Sequence, residues 1–254
     1  MDHFRLDGKL ALVTGGSRGI GLGIARAMAE AGADILLVAR KSAELERVTA
    51  ELASSARHVA CCPFDMHDYP KLDEWYATVV ERYGVPDILV NNAGMTKRAS
   101  AENLSLDDWH EVLAINLSAV FAMSQAFARR LIAKGQQGKI INIASLMTAA
   151  SRPTTSAYTA SKGGIGQLTK ALAVDWAGKG ILVNAIAPGF IHTEMTGPLW
   201  SDPEFDAWVK KRTPLSRWGT VEDIAQPAVF LASSAADFMT GQVIYVDGGW
   251  LSTF

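Results

Sequence analysis

The chain of 254 residues has only two cysteines, adjacent at Cys61 and Cys62. Such a pair cannot build the cross-linked framework of a small secreted domain, and it reads as part of a buried strand in a reducing compartment. An excess of one charge is also missing: 24 Lys and Arg stand against 26 Asp and Glu, with no long block of like sign. That balance gives no basis for a nucleic-acid partner or an anionic membrane surface. No run approaches 18 uncharged apolar residues, so no membrane partner is expected. Residues Met1 to Asp7 lack the apolar core of an export signal, and the expected location is the cytoplasm. The five histidines, at 3, 58, 67, 110 and 192, fall at no metal-ligand spacing, so no metal is expected. Repeats, low-complexity tracts and linkers are lacking too, which leaves one domain over residues 1–254.

What the chain does have is alternation. Strand-like apolar runs at 9–14, 34–39, 57–62, 86–91, 138–144, 181–187 and 243–246 are separated by helical patterns near 19–31, 42–54, 70–83, 105–134, 156–178 and 221–232. Strands apolar on both faces and alternating with helices imply a parallel sheet covered on both sides. Right-handed crossovers then give an α/β, doubly wound, Rossmann-type fold of three layers, with ligands at the carboxyl ends of the strands. The stretch 190–215 lacks a continuous period but holds Pro198, Pro203, Pro214, Trp200, Phe205 and Trp208. Lying at the ligand end, it is a candidate substrate lid.

Two places carry chemistry. Thr14-Gly15-Gly16-Ser17-Arg18-Gly19-Ile20-Gly21 joins the first strand to the first helix. A strand that turns through glycines into a helix presents unpaired backbone N–H groups that can hold a phosphate. Further on, Tyr158 and Lys162 are four residues apart in the helical pattern 156–178, so they share a face. A free tyrosine has a pKa of about 10, and a neighbouring cation lowers it toward the range of a general acid/base. Ser145 follows the strand 138–144 at its ligand end, where it can hydrogen-bond a substrate oxygen. Asn116 lies inside the helical pattern 105–134, an odd place for an amide unless it holds a water or a backbone group.

Taken with Asn91-Asn92-Ala93-Gly94 and Pro188-Gly189, these motifs resemble the short-chain dehydrogenase/reductase family over essentially the whole chain. The glycine spacing is that family's G-x-x-x-G-x-G. The resemblance implies that Tyr158 exchanges a proton with the carbonyl oxygen and that Ser145 orients and polarises that carbonyl. It implies that Lys162 lowers the pKa of Tyr158 and binds the nicotinamide ribose, and that Asn116 holds a water linking Lys162 to solvent. By the same resemblance Gly15, Ser17, Arg18, Gly19, Ile20 and Gly21 cradle the cofactor. Asn92, Ala93 and Gly94 line its cleft, Asp65 and Met66 flank the adenine, and Pro188, Gly189, Ile191 and Thr193 contact the nicotinamide end. A homotetramer built on the helices 105–134 and 156–178 and on the C-terminal strand region is implied as well.

The second strand ends Val38-Ala39-Arg40-Lys41, without the acid that usually accepts both ribose hydroxyls in an NAD site. Arg40 and Arg18 suit a 2′-phosphate instead, so NADP(H) is expected over NAD(H). Within the family the likeness is to sugar-acid dehydrogenases, which implies a keto sugar acid such as 5-ketogluconate. Lys97, Arg98 and Arg152 are candidates for its carboxylate. Two other substrates stay open. A 3-oxoacyl carrier protein would dock on Lys97, Arg98, Lys210, Lys211 and Arg212, and Trp200 and Trp208 would suit a bulkier cyclic ketone. A dinucleotide sensor without turnover has no need of the Tyr-Lys pair.

Overall fold

The computed structural model describes residues 2–53 and 58–253. In chain order the elements are β1 (Leu10–Thr14), α1 (Gly19–Glu30), β2 (Asp34–Val38), α2 (Ser42–Leu52), β3 (Val59–Cys61), α3 (Leu72–Tyr83), β4 (Ile88–Asn91), α4 (Leu106–Leu113), α5 (Ala119–Lys134), β5 (Gly138–Ile143), α6 (Ser156–Trp176), β6 (Ile181–Pro188), α7 (Gly197–Trp200), α8 (Pro203–Arg212), α9 (Val221–Ala232) and β7 (Val243–Val246). The strands form one parallel sheet in the order β3-β2-β1-β4-β5-β6-β7. The order reverses between β1 and β4, where a doubly wound sheet leaves its ligand crevice.

The pleat explains why both faces are apolar. Val13, Leu37 and Val90 pack against α1, α2 and α9, while their neighbours Leu12, Leu36 and Leu89 pack against α3, α5 and α6. Each strand therefore contributes to two cores, and the result is the expected three layers. On the α5–α6 face of the sheet runs a buried polar chain. Asn91 Nδ2 donates to Ser124 Oγ at 3.0 Å and to Asn142 Oδ1 at 2.9 Å, and Asn142 Nδ2 donates to Thr169 Oγ1 at 3.0 Å. It fastens β4 and β5 to α5 and α6, the helices nearest the catalytic candidates.

Three expectations are refined. The helical pattern 105–134 is two helices joined by a π-turn at Ala114–Ser118, a wider turn that interrupts the regular ladder. Leu106–Lys134 is, by length and composition, apolar enough to cross a membrane, which a search for uncharged runs does not reveal; 56% of its most apolar window is buried in the protein. The stretch 190–215 contains two helices. At the start of α8, Asp202 accepts from Glu204 N at 3.0 Å and Phe205 N at 3.3 Å, Pro203 takes the first position, and Lys210, Lys211 and Arg212 fill the last turn. The expected strand 57–62 begins, and the expected helix 42–54 ends, at residues 57 and 54, which lie outside those described.

Candidate active site

The glycine turn closes against the end of β4. Thr14 Oγ1 accepts the N–H groups of Asn92 and Ala93 at 3.0 and 3.1 Å, and Asn92 Nδ2 donates to the carbonyls of Thr14 and Gly15 at 3.0 and 3.1 Å. The approach is so close that a Cβ on Gly15, whose φ is +63°, would lie 2.8 Å from Asn92 Nδ2, and one on Gly21 would lie 2.3 Å from it. Only glycine fits at these two positions. The N-terminus of α1, behind Ser17, Arg18, Gly19 and Ile20, has no side-chain cap and no acid in its first turn. Its free N–H groups suit an anion, so this turn fits the pyrophosphate of a dinucleotide.

The flanks of the cleft differ in detail from expectation. Arg40 is exposed at the end of β2, within electrostatic reach of Asp65. Burial pushes the Asp65 carboxyl up, but the backbone N–H and ring of His67 outweigh it and hold the group below its usual range. Asp65 thus spends its carboxylate on His67 N at 3.0 Å and Nδ1 at 3.1 Å, while Met66 is buried beside it. Arg18 pairs with Glu194, Nη1 to Oε2 3.2 Å. At the other end, Gly189 N donates to Val246 O at 2.9 Å, so Pro188 and Gly189 are fixed to β7. Ile191 is buried, and Thr193 shares a capping box with Thr196.

Tyr158, Lys162 and Ser145 converge at the carboxyl ends of β5 and β6. Ser145 Oγ accepts from Met147 N at 3.2 Å and faces the Tyr158 hydroxyl. Burial raises the Tyr158 pKa, and the Ser145 hydroxyl and the nearby Arg98 guanidinium pull it partly back. Lys162 stands 5.7 Å from the Tyr158 ring centroid and directs its Nζ to Ile143 O at 2.6 Å. Burial pushes that ammonium down to about 8. Arg98, from a loop 60 positions earlier, is thus a second cation that acts on Tyr158, beside the Lys162 to which the i, i+4 spacing points.

Asn116 lies in the π-turn. Its Oδ1 accepts from Met95 N at 2.9 Å, and its Nδ2 donates to Met95 O at 2.9 Å and Ser161 Oγ at 3.1 Å. Its amide holds a backbone group, the second of the two uses expected for it. The clamp fixes Met95 just before Lys97 and Arg98.

Lys97 is engaged with Asp108 and Glu111, both at 3.1 Å. Arg98 and Arg152 have no carboxylate partner among the described residues. Burial and the charge of Arg98 lower the pKa of Arg152, whose guanidinium lies 4.7 Å over the Phe205 ring of α8. Arg98 is thus within electrostatic reach of both Arg152 and Tyr158, and guanidinium groups without a carboxylate partner suit an anion. Above them Phe190 gathers Phe205, Trp208, Trp218 and Trp250 at ring-centroid distances of 5.7–6.0 Å. Phe190 and Trp250 also share an apolar cluster with Leu146, Met147 and Tyr158, so the lid is tied directly to the catalytic candidates.

A dinucleotide cradle at the switch point of a parallel sheet, facing a Tyr-Lys pair and a serine, defines an oxidoreductase of the nicotinamide-dependent kind. The family model described as enoyl-(acyl carrier protein) reductase matches residues 15–251, and the chain belongs to this short-chain dehydrogenase/reductase family. It is 43% identical over 248 residues to gluconate 5-dehydrogenase of Gluconobacter oxydans, covering 98% of this chain and 96% of that protein. It is 45% identical over 252 residues to 2-dehydro-3-deoxy-D-gluconate 5-dehydrogenase of Pseudoalteromonas atlantica, covering 99% of both. A crystal structure of a gluconate 5-dehydrogenase from Burkholderia cenocepacia, in complex with NADP and tartrate, superposes with a TM-score of 0.96 at 43% identity, covering 100% of this chain and 99% of that one.

Proposed function

We propose that the protein interconverts a keto sugar acid, such as 5-ketogluconate, and its secondary alcohol with NADP(H) as the redox partner. The observation that carries the substrate class is Arg98, within electrostatic reach of both Tyr158 and Arg152, neither arginine having a carboxylate partner among the described residues. Guanidinium groups bind a carboxylate through charge-assisted and often bidentate hydrogen bonds. The names of the sugar-acid relatives and the NADP and tartrate of the Burkholderia structure support the same reading.

When bound, the nicotinamide supplies or accepts the hydride. The protein's own residues do the rest. In reduction the Tyr158 hydroxyl gives its proton to the carbonyl oxygen, and in oxidation it takes the proton from the alcohol. Ser145, facing that hydroxyl, donates a hydrogen bond to the same substrate oxygen and orients it. Lys162 has one donor fixed on Ile143 O, and its remaining N–H groups are free to hold ribose hydroxyls next to Tyr158. Asn116 sets the height of the Arg98 loop through Met95. Arg18 and Arg40 receive the 2′-phosphate. The lid of α7 and α8 covers the substrate and excludes water. We place the protein in the cytoplasm, where its unlinked Cys61 and Cys62 suit reducing conditions, and we assign it a homotetrameric state.

Of the five cations on which a carrier protein would dock, three already have partners within the chain. Lys97 is paired with two acids, Lys210 with Asp206 at 2.7 Å, and Arg212 lies 4.9 Å over the Trp250 ring. Trp208 packs in the aromatic cluster and Trp200 stacks on His192 at 4.2 Å, while both stay more than a third exposed, which keeps the bulkier ketone as a second reading for the test.

The test follows reduced-nicotinamide absorbance with 5-ketogluconate, an acetoacetyl thioester and a cyclic diketone, using NADPH and NADH in parallel. Selective turnover of the keto sugar acid with NADPH is expected, and Tyr158→Phe should keep NADPH binding while losing roughly 10²–10⁴-fold in turnover. Turnover of the thioester or diketone alone replaces the substrate class. Unimpaired turnover by Tyr158→Phe removes the proton donor from the mechanism.

A further inference from the structure

The Arg18–Glu194 pair joins two parts of the chain with different tasks. Arg18 belongs to the glycine turn, and Glu194 opens the helical turn Glu194–Thr196 that leads into α7 and the lid. The contact is 3.2 Å, across 176 positions of sequence. Glu194 has no second cation among the described residues, and the first turn of α1 supplies Arg18 with no other acid. A carboxylate and a phosphate are alternative ligands for a guanidinium, because both accept its paired N–H donors, and the phosphate dianion does so with more charge.

We infer that Glu194 is a specificity-determining residue for the cofactor: it holds Arg18 while no phosphate is present and competes with the 2′-phosphate of NADP(H) for it. The inference rests on the assignment of Arg18 to that phosphate made above. NADP(H) has to draw Arg18 off Glu194, whereas NAD(H) leaves the pair intact, so the acid narrows the affinity gap between the two cofactors. Because the same acid begins the lid, the exchange also frees the lid's first turn from the glycine turn when the phosphorylated cofactor arrives. Both side chains are more than half exposed, at 62% and 72%. Exposed ion pairs of this kind are worth at most ~1 kcal/mol, which converts to about fivefold in affinity.

Calorimetric titration of the full-length protein with NADPH and with NADH, without substrate, tests this on four proteins: wild type, Glu194→Gln, Arg18→Gln and the double variant. Glu194→Gln should tighten NADPH about two- to fivefold and leave NADH unchanged. The gain should shrink at high salt and vanish in the Arg18→Gln background. Glu194→Gln that leaves NADPH affinity unchanged, tightens both cofactors alike, or still tightens NADPH without Arg18 overturns the inference. Arg18→Gln that weakens NADPH no more than NADH overturns instead the phosphate assignment beneath it. Thermal melts of the four proteins, each expected to retain a cooperative transition, confirm that affinities are compared between folded states.

Discussion

Lys162 shows how a residue proposed for the reaction can cost stability. Its side chain is 5% exposed, its ammonium has one carbonyl partner, and burial lowers its pKa to about 8. Its free value is near 10.5. Between pH 8 and 10.5 the unfolded chain therefore binds more protons at this position than the folded one, so this group's contribution makes stability rise with pH there. Below pH 8 both states are protonated and the full penalty of the buried charge remains. Lys162→Met should accordingly be more stable than wild type at neutral pH by ~1–2 kcal/mol, part of the gain being lost because Ile143 O is left without its donor. Urea unfolding at pH 7 and pH 10 checks the sign: the advantage should shrink at the higher pH, and turnover should be abolished at both. At this scale the sequence was informative where a role depends on near neighbours. Tyr158 and Lys162 are one turn apart on one helix, and Ser145 ends a strand. It was silent where the partner is remote: Asn116 and Met95 are 21 positions apart, and Thr14 and Asn92 are 78 apart. Arg98 and Arg152 could be named as candidate cations, but only the loss of Lys97 to Asp108 and Glu111 singles them out.

Elements follow from the same distinction. Strands apolar on both faces were legible as parallel and buried, and the observed bounds differ from the expected ones by a residue or two at most ends. The lid was harder to read because α8 has little amphipathic contrast: its aromatic residues pack on Phe190, outside the central core. The signals were at its ends instead, in Asp202-Pro203 and in the cations of the last turn. The start of α9 illustrates how much such an end can hold. Thr220 accepts from Asp223 N at 3.3 Å, and Asp223 accepts from Thr220 N at 2.8 Å, a reciprocal capping box. Arg217 adds a two-pronged contact of 2.6 and 3.0 Å and, with Thr220, holds the Asp223 carboxyl down to about 2. A depressed carboxylate stabilises the fold above its unfolded pKa and ceases to do so as pH falls toward the folded value. Asp223→Asn should cost about 1 kcal/mol at pH 7, the usual magnitude for a helix cap. The difference from wild type should narrow below pH 4, which melting curves at pH 7 and pH 3.5 would register.

For the whole molecule, the surface left over by a single chain is where the proposed homotetrameric state can be tested. A groove of about 850 Å³ lies along α5 and α6, lined by Leu117, Phe121, Ala122, Gly164, Leu168 and Ala171. Phe121 is 43% exposed there, and the outer side of Gly163 is open, so another helix can approach closely. Away from that groove, Phe238 is fully exposed in a second surface recess lined also by Ala177 and Leu182, and the edge strand β7 carries the exposed Tyr245. An isolated exposed apolar side chain is ordinary, but two separate apolar faces on one chain are what two isologous interfaces require. Two such interfaces with crossed two-fold axes close into a tetramer of dihedral symmetry, whereas one alone would stop at a dimer. Phe121→Glu should therefore yield dimers held by the β7 face, Phe238→Glu dimers held by the α5–α6 face, and the double variant monomers. Sedimentation equilibrium at micromolar concentration distinguishes these outcomes. A wild-type chain that sediments as a monomer would remove both interfaces, and a Phe121→Glu protein that remains tetrameric would move the first of them elsewhere. The catalytic candidates share the helices along which this groove runs, with Asn116 just before α5 and Tyr158 and Lys162 on α6. Dissociation at the α5–α6 face should for that reason lower turnover as well as mass, while loss of the β7 face should lower mass with less effect on the site.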